Sequence, residues 1–452
     1  MHRWTEDTER LAESVLRYTR GRLDLEPVPL DGPATFDDLQ RAVGQTVTPE
    51  GLGGEEALRL FAEFLAPACI STDHPRHFSF IPCAPTHASS LFDLVVGASS
   101  IYAGSWLEAA GAVFAENQAL RWLADLAGLP DSAGGVFVQG GTQANLSALV
   151  TARHAARTAS KGEGRRFAIA VSSEVHSSVT SSALVMDVDL VPVATDGAGR
   201  LTGDRLATAL DEEAAGAGRQ VFAVVASAGT TNLGVVDDLT TVADVAARRD
   251  LWFHVDAAYG GAGLAAPSVR RLFAGIERAD SLAIDPHKWL FAPYDCAALL
   301  YREPELARAA HTQHAGYLEV LHTEGDWNPS DYAIQLTRRA RGLPFWFSLA
   351  THGWKAYERA VERTLEVTRY AAAAVEDRDE LVLVMAPQLS IVGFTRRGWA
   401  ANDYAEWSSR LLAEGTAFVT PTTFGGEVGL RLAILNPLTT EDDIDVVLDS
   451  LR

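Results

Sequence analysis

The chain is poor in cysteine, has no excess of positive charge and contains no apolar run that approaches a membrane span. Its three cysteines, Cys69, Cys83 and Cys296, are few, odd in number and far apart. That argues against a disulfide framework and for a reducing compartment. Lys+Arg 38 against Asp+Glu 59 gives a formal net charge of −21. Such a field repels phosphate backbones, so neither nucleic acid nor an anionic membrane is expected as a partner. Met1 to Leu23 is charged throughout, without the apolar centre of a signal peptide, and a cytoplasmic protein is expected. No thiolate or carboxylate cluster completes a metal site around the His74/His77 or His311/His314 pairs, so no metal is expected.

What is present is an ordinary globular composition, 47% hydrophobic and 21% charged, in 452 residues. That length implies two or three domains. Residues 1 to 70 carry apolar positions at helical spacing (Leu11, Val15, Leu16, Tyr18; Ala57, Leu58, Leu60, Phe61, Phe64) on either side of a proline-rich crossing piece, Glu26 to Pro33. This predicts a helical arm able to pack on a partner subunit. Residues 88 to 128 read as helix with a break at Gly104, beside Tyr102 and Trp106.

From 135 to 300 short apolar runs alternate with helical stretches. The runs are Val136–Val138, Phe167–Val171, Leu190–Val193, Val221–Ala226, Trp252–Val255 and Leu282–Ile284. This texture predicts an α/β fold whose mostly parallel sheet is covered on both faces, with ligands beyond the carboxyl ends of the strands. From about 345 a long helix, Trp346 to Glu376, precedes the strands Leu381–Val384, Ser390–Phe394 and Val428–Ile434, with a helix near Glu406–Leu412. The expected division is an arm (1–70), a large α/β domain (71–344) and a small α+β domain (345–452).

The chemistry gathers at the predicted strand ends. Gly140-Gly141-Thr142 opens a helix and offers N–H groups, a hydroxyl and a positive helix terminus to a phosphate. It is neither a Walker loop nor a G-x-G-x-x-G turn. Asp256 closes one strand among small residues, Gly229-Thr230-Thr231 closes another, and His176 stands in Glu174-Val-His-Ser-Ser178. Lys288, in Asp285-Pro-His-Lys-Trp289, is flanked by bulk that lowers the cost of a neutral amine. Singly each has a plainer reading: a capped turn, a helix cap, a surface histidine, a lysine stem packed on Trp289. Jointly they describe a phosphate turn, a stacking imidazole, a carboxylate for a ring nitrogen and an amine for an aldehyde, which is a pyridoxal phosphate site.

The order and wording of Gly140-Gly-Thr-Gln-Ala-Asn-Leu146, Glu174-Val-His-Ser-Ser178, Ala228-Gly-Thr-Thr231, His254-Val-Asp-Ala-Ala-Tyr259 and Asp285-Pro-His-Lys-Trp289 closely resemble the group II pyridoxal-phosphate-dependent amino-acid decarboxylases, the family of aromatic-amino-acid, histidine and glutamate decarboxylases. The likeness runs from about His74 to the C-terminus, through Thr420-Pro-Thr-Thr-Phe424 and Leu430-Arg-Leu-Ala433. It implies a fold-type-I enzyme, aspartate aminotransferase-like, with a seven-stranded sheet, and a homodimer with shared active sites. By motif, Lys288 is implied as the Schiff-base lysine, Asp256 as partner of the pyridine nitrogen and His176 as the residue stacked on the ring. Gly141, Thr142, Asp285 and His287 are implied at the phosphate, and Thr230 and Ala258 along the cofactor. Phe78, Phe80, Tyr102 and Trp106 resemble the substrate-pocket wall, part of it implied to reach across the dimer.

The implied reaction is decarboxylation of an aromatic or bulky L-amino acid through a quinonoid intermediate. Oxidative aldehyde synthesis is the alternative, and a non-catalytic relative is a further one. Two departures from the family pattern stand out: Asp285 replaces a frequent Asn, and the loop before Arg338-Arg339 lacks a tyrosine at the family's spacing, Pro329 taking its place. Tyr332, and more weakly Tyr317, are the candidate proton donors.

Overall fold

The computed structural model describes residues 2–159, 166–216, 218–314, 316 and 325–452. A seven-stranded sheet forms from β1 (Gly134–Val138), β2 (Phe167–Ser172), β3 (Asp189–Val193), β4 (Gln220–Ser227), β5 (Trp252–Asp256), β6 (Ser281–Ile284) and β7 (Ala297–Tyr301), in the order β1-β7-β6-β5-β4-β2-β3. The block from β6 through β3 is parallel, while β7 runs antiparallel to both β6 and β1. The sequence reading placed six of these strands and missed β7, whose Ala-Ala-Leu-Leu-Tyr run has no polar alternation to mark its register. At the β1 edge Gly135 lets the strands meet, since a Cβ there would lie 1.9 Å from the Leu299 carbonyl oxygen.

The helices in chain order are α1 (Glu6–Leu23), α2 (Phe36–Val43), α3 (Gly54–Leu60), α4 (His87–Ser99), α5 (Trp106–Leu126), α6 (Gly141–Ala159), α7 (Ser177–Met186), α8 (Gly203–Ala215), α9 (Leu239–Arg248), α10 (Pro304–His311), α11 (Leu343–His352), α12 (Trp354–Glu376), α13 (Ala401–Ala413) and α14 (Glu441–Asp449). Side chains alternate across a strand, so each strand serves two layers. Ile169, Val171, Ala223 and Val225 pack on Leu149 and Ala152 of α6 and Val179 and Ala183 of α7. Their neighbours Ala170, Val224 and Ala226 pack on Leu206 and Leu210 of α8 and Val242 of α9. Both faces are thereby dry, and near-continuous apolar runs are the result.

The smaller sheet, β8 (Leu381–Leu383), β9 (Ile391–Arg396), β10 (Pro421–Phe424) and β11 (Glu427–Ala433), is antiparallel in the order β10-β11-β9-β8. It shares a core with α12, α13 and α14 around Phe394, Trp407, Leu430 and Ile444. β10, a half-buried edge strand that begins at a proline, was not anticipated. The single helix expected over Trp346 to Glu376 is two helices, α11 and α12. They part at Gly353, whose φ of 72° and ψ of 151° suit glycine and break the helical run. No helix among the described residues is long and apolar enough to cross a membrane.

Burial lowers the pKa of His74, His77, His254 and His311 to about 4 from 6.5, so these four are neutral when folded and charge on unfolding. Between those values the unfolded chain binds more protons, and stability therefore rises with pH across the window and is lost toward pH 4. Asp237, pushed up to about 7 by burial, opposes one of them. A net excess remains, on the order of 1 kcal/mol or more per pH unit. Urea unfolding at pH 7 and pH 5 is expected to show a lower midpoint at pH 5, with the difference reduced in His311→Gln. Equal midpoints would refute this account.

Candidate active site

The strand ends of the parallel block open on one cavity of about 270 Å³. Gly141, Thr142, His176, Thr230, Asp256, Ala258, Asp285, His287 and Lys288, expected from separate motifs, all line it. Gly140 begins α6 by accepting from the N–H groups of Gln143 and Ala144 (both 3.0 Å), which leaves the first-turn N–H groups aimed outward. A Cβ at Gly141 would lie 3.1 Å from both the Ala258 Cβ and Asp285 Oδ2, so glycine keeps this corner open. The β4 end is pinned by Asp237, whose carboxylate accepts from the backbone N–H groups of Ser227 (2.6 Å) and Leu201 (2.7 Å). Thr230 Oγ1 accepts from the Val235 N–H at 3.1 Å, which fixes the turn beyond.

Asp256 is 8% exposed. Its Oδ2 accepts from Asn145 Nδ2 at 2.8 Å and its Oδ1 from the Ala258 N–H at 3.1 Å. His176 does cap α7, its Nδ1 accepting from the Ser178 N–H at 3.2 Å, yet its ring is exposed to the cavity. Lys288 Nζ lies 2.9 Å from Asp285 Oδ2, which also accepts from the Gly141 N–H at 3.2 Å. The second oxygen, Oδ1, is buried with no partner. His287 Nδ1 meets the Cys296 carbonyl oxygen at 2.8 Å, and burial depresses the pKa of this ring.

Within the single chain, none of the four aromatic residues expected at the pocket wall lines this cavity. Phe78 is a core residue of the small sheet's domain, and Phe80 is 62% exposed at a φ of 55°, tilted against Phe418. The Tyr102 hydroxyl donates to the Leu336 carbonyl at 3.0 Å, and Trp106 packs on the cluster between α4, α5 and α11. Nor does Tyr332 reach the cavity. It is 1% exposed, stacked on Trp327 with ring centroids 4.2 Å apart, and its backbone carbonyl accepts from the Tyr301 hydroxyl. Packing beneath β1 and β7 thus removes it as a proton donor within this chain. Tyr317 lies outside the described residues. Residues the sequence reading passed over are Asn145 and Ser178, which stood inside quoted motifs, and Tyr294 and Asp295, which carried no pattern at all.

These groups suit pyridoxal phosphate. An open helix terminus would suit its phosphate, a carboxylate with spare acceptor capacity would suit a ring nitrogen, an uncovered imidazole offers a face, and an amine stands within the same cavity. Comparison with known proteins agrees. Residues 53–397 match the pyridoxal-dependent decarboxylase conserved domain. The chain is 29% identical to an aromatic-L-amino-acid decarboxylase of Bacillus atrophaeus, covering 93% of this chain and 89% of that protein. It is 33% identical to an L-2,4-diaminobutyrate decarboxylase of Rhizobium meliloti (strain 1021), covering 84% and 77%. The crystal structure of Oryza sativa TDC with PLP and tryptamine superposes with a TM-score of 0.92 at 25% identity, over 100% of this chain and 99% of that one. The chain belongs to the pyridoxal-dependent decarboxylase family, and its chemistry is pyridoxal-phosphate-dependent amino-acid decarboxylation.

Asp285 takes up a donor that a phosphate would use and puts a negative charge beside it. Asp285→Asn is expected to tighten cofactor binding about tenfold by removing that charge. Titration of apoenzyme followed by absorbance measures this, and unchanged or weaker binding would show that the carboxylate does not compete.

Proposed function

We propose that the substrate is an aromatic or otherwise bulky apolar L-amino acid, released as the amine and carbon dioxide. The observation that supports this against an acidic substrate is the charge of the lining. Among the described residues the cavity holds no arginine, and Lys288 is its one lysine, while Glu174, Asp256, Asp285 and Asp295 are carboxylates. A substrate with an acidic side chain would find repulsion there. Tyr294, 52% exposed and 5.1 Å ring to ring from His287, offers apolar surface at the rim.

When bound, pyridoxal phosphate supplies an aldehyde and an electron sink. Lys288 is the amine that would hold the aldehyde. Asp256 would keep a proton on the pyridine nitrogen, His176 would cover one face of the ring, and Gly141, Thr142 and His287 would hold the phosphate, with Thr230 and Ala258 alongside. The proposed donor of the final proton is not Tyr332 in its present packing. Amine formation against release of ammonia and peroxide separates decarboxylation from the oxidative alternative.

A homodimer with shared sites belongs to the same proposal. α1 and α2 bury no residue, and Leu91, Leu94, Val95, Leu107 and Phe114 of α4 and α5 stand 42–64% exposed. An apolar face of this extent needs a cover. The arm, large-domain and small-domain boundaries read from the sequence (1–70, 71–344, 345–452) are the proposed units.

Carbon dioxide release is expected to be at least tenfold more efficient, in kcat/KM, with aromatic L-amino acids than with glutamate or cysteine sulfinate. Lys288→Ala is expected to lose activity by about 10³-fold or more and to lose the borohydride-trapped cofactor mass. Preference for an acidic substrate, or trapping in the variant, would overturn the reading. Leu107→Asp is expected to shift sedimentation from dimer toward monomer and to reduce activity with it. A wild-type protein sedimenting as an active monomer would remove the shared-site proposal.

A further inference from the structure

Beneath the cavity a chain of buried polar side chains runs away from the reacting centre, and every hydrogen in it can be placed. Trp252, His254 and Asp256 alternate along β5 and so share one face. Ser281 of β6 lies beside His254 in register, and Asn145 of α6 lies over both strands. The Trp252 indole N–H can only donate, and it donates to Ser281 Oγ at 2.8 Å. Because the Asn145 amide nitrogen faces the Asp256 carboxylate, its Oδ1 faces His254 Nε2 at 2.9 Å and the hydrogen of the neutral imidazole is on Nε2. Nδ1 is then an acceptor, and the Ser281 hydroxyl, 2.8 Å away, donates to it. The Asn145 amide cannot flip without facing its oxygen toward a carboxylate. Its two amide hydrogens go to Asp256 Oδ2 (2.8 Å) and Ser178 Oγ (2.9 Å). Ser178 then passes its own hydrogen to His176 Nδ1 at 2.8 Å, where the Ser178 N–H also points. His176 is left with its hydrogen on Nε2.

We infer that Asn145, held by the Trp252–Ser281–His254 relay, is a positioning residue that couples the two cofactor-facing groups, keeping a donor on Asp256 and fixing the tautomer of His176. Asn145, His254 and Ser281 are no more than 1% exposed, so water does not substitute for the links among them. Burial, with its pKa at about 4, keeps His254 neutral, as the relay requires. The other titratable groups facing Asp256 are His254 and, through Ser178, His176, with Glu174, Tyr259, Asp285, His287, Lys288, Tyr294 and Asp295 around the same cavity. The inference rests on the reading of Asp256 and His176 as cofactor-facing.

The test is pyridoxal phosphate affinity of the apoenzyme across pH, with folding followed by circular dichroism. Asn145→Ala is expected to weaken binding about ten- to hundredfold at neutral pH and to move the acid limb of binding up by about one pH unit. Trp252→Phe keeps the ring but removes the donor at the far end, outside the cavity. It is expected to move the same limb in the same direction by a smaller amount and to broaden or split the ¹⁵N imidazole signals of His176 into two tautomers. His254→Gln, which offers an N–H to Asn145, is expected to restore much of what His254→Leu loses. A purely structural role would lower affinity at all pH values without moving the limb, and an unmoved limb in folded Asn145→Ala and Trp252→Phe overturns the inference. Should Asn145→Ala fail to fold, Trp252→Phe and the His254 pair decide alone. Asp256→Ala separates the two layers of argument. Wild-type affinity there would sink the site reading itself, whereas loss there beside an unmoved limb in the relay variants sinks only the coupling.

Discussion

A carboxylate placed at the dry end of a parallel sheet is costly unless hydrogen bonds replace its lost water. Asp256 is that group, and much of the large domain is arranged to supply its partners. The tight turn after β5 brings the Ala258 N–H back onto one oxygen. The other oxygen needs a donor from across the layer, which requires α6 to cross the sheet where Asn145 meets β5. That same crossing places the N-terminus of α6 at the opposite end of the cavity. One helix therefore fixes both the donor to Asp256 and the helix terminus that opens on the cavity.

The rest of the architecture follows from keeping that cavity half open. β7 turns back antiparallel along β6, which carries the chain from Lys288 round to the β1 edge without crossing the cleft. Tyr259, stacked on Trp289, sends its hydroxyl to Ser390 Oγ at 2.6 Å and accepts from the Ser390 N–H at 2.9 Å. The small sheet's domain is thus tied to the turn that follows Asp256. The segment from His74 to Thr86 threads between the two bodies, bonded to Phe418 and Ala433 on one side and Phe291 on the other. Phe78 is consumed in that anchoring, and Phe80 is turned outward on a left-handed backbone as a consequence.

How much of this was legible depended on distance along the chain. The cofactor-facing residues sit in contiguous stretches at strand ends, where the switch from apolar run to Gly, His, Asp or Lys marks both position and chemistry. Nine of them meet in one cavity for that reason. Phe78, Tyr102, Trp106 and Tyr332 were placed by resemblance and by position along the chain, and their orientation is set by partners more than two hundred residues away, such as Leu336 for Tyr102, or by local stacking such as Trp327 on Tyr332. Spacing cannot report that. β7 and β10 were missed because one lacks alternation and the other begins on a proline. The relay under Asp256 lies between these cases. Its β5 members were visible as Trp252, His254 and Asp256 at every second residue, but Asn145 and Ser281 join them only through the layer packing.

Asp285 shows how the same physics serves opposing demands. At the mouth of α6 a carboxylate satisfies a first-turn N–H, balances the Lys288 ammonium and leaves one oxygen without a partner. Each contact stabilises the protein by itself and works against a phosphate arriving at the same terminus. An anion arriving at Gly141 and Thr142 would compete with Asp285 for the Gly141 N–H, and an asparagine at the same place would compete without the charge.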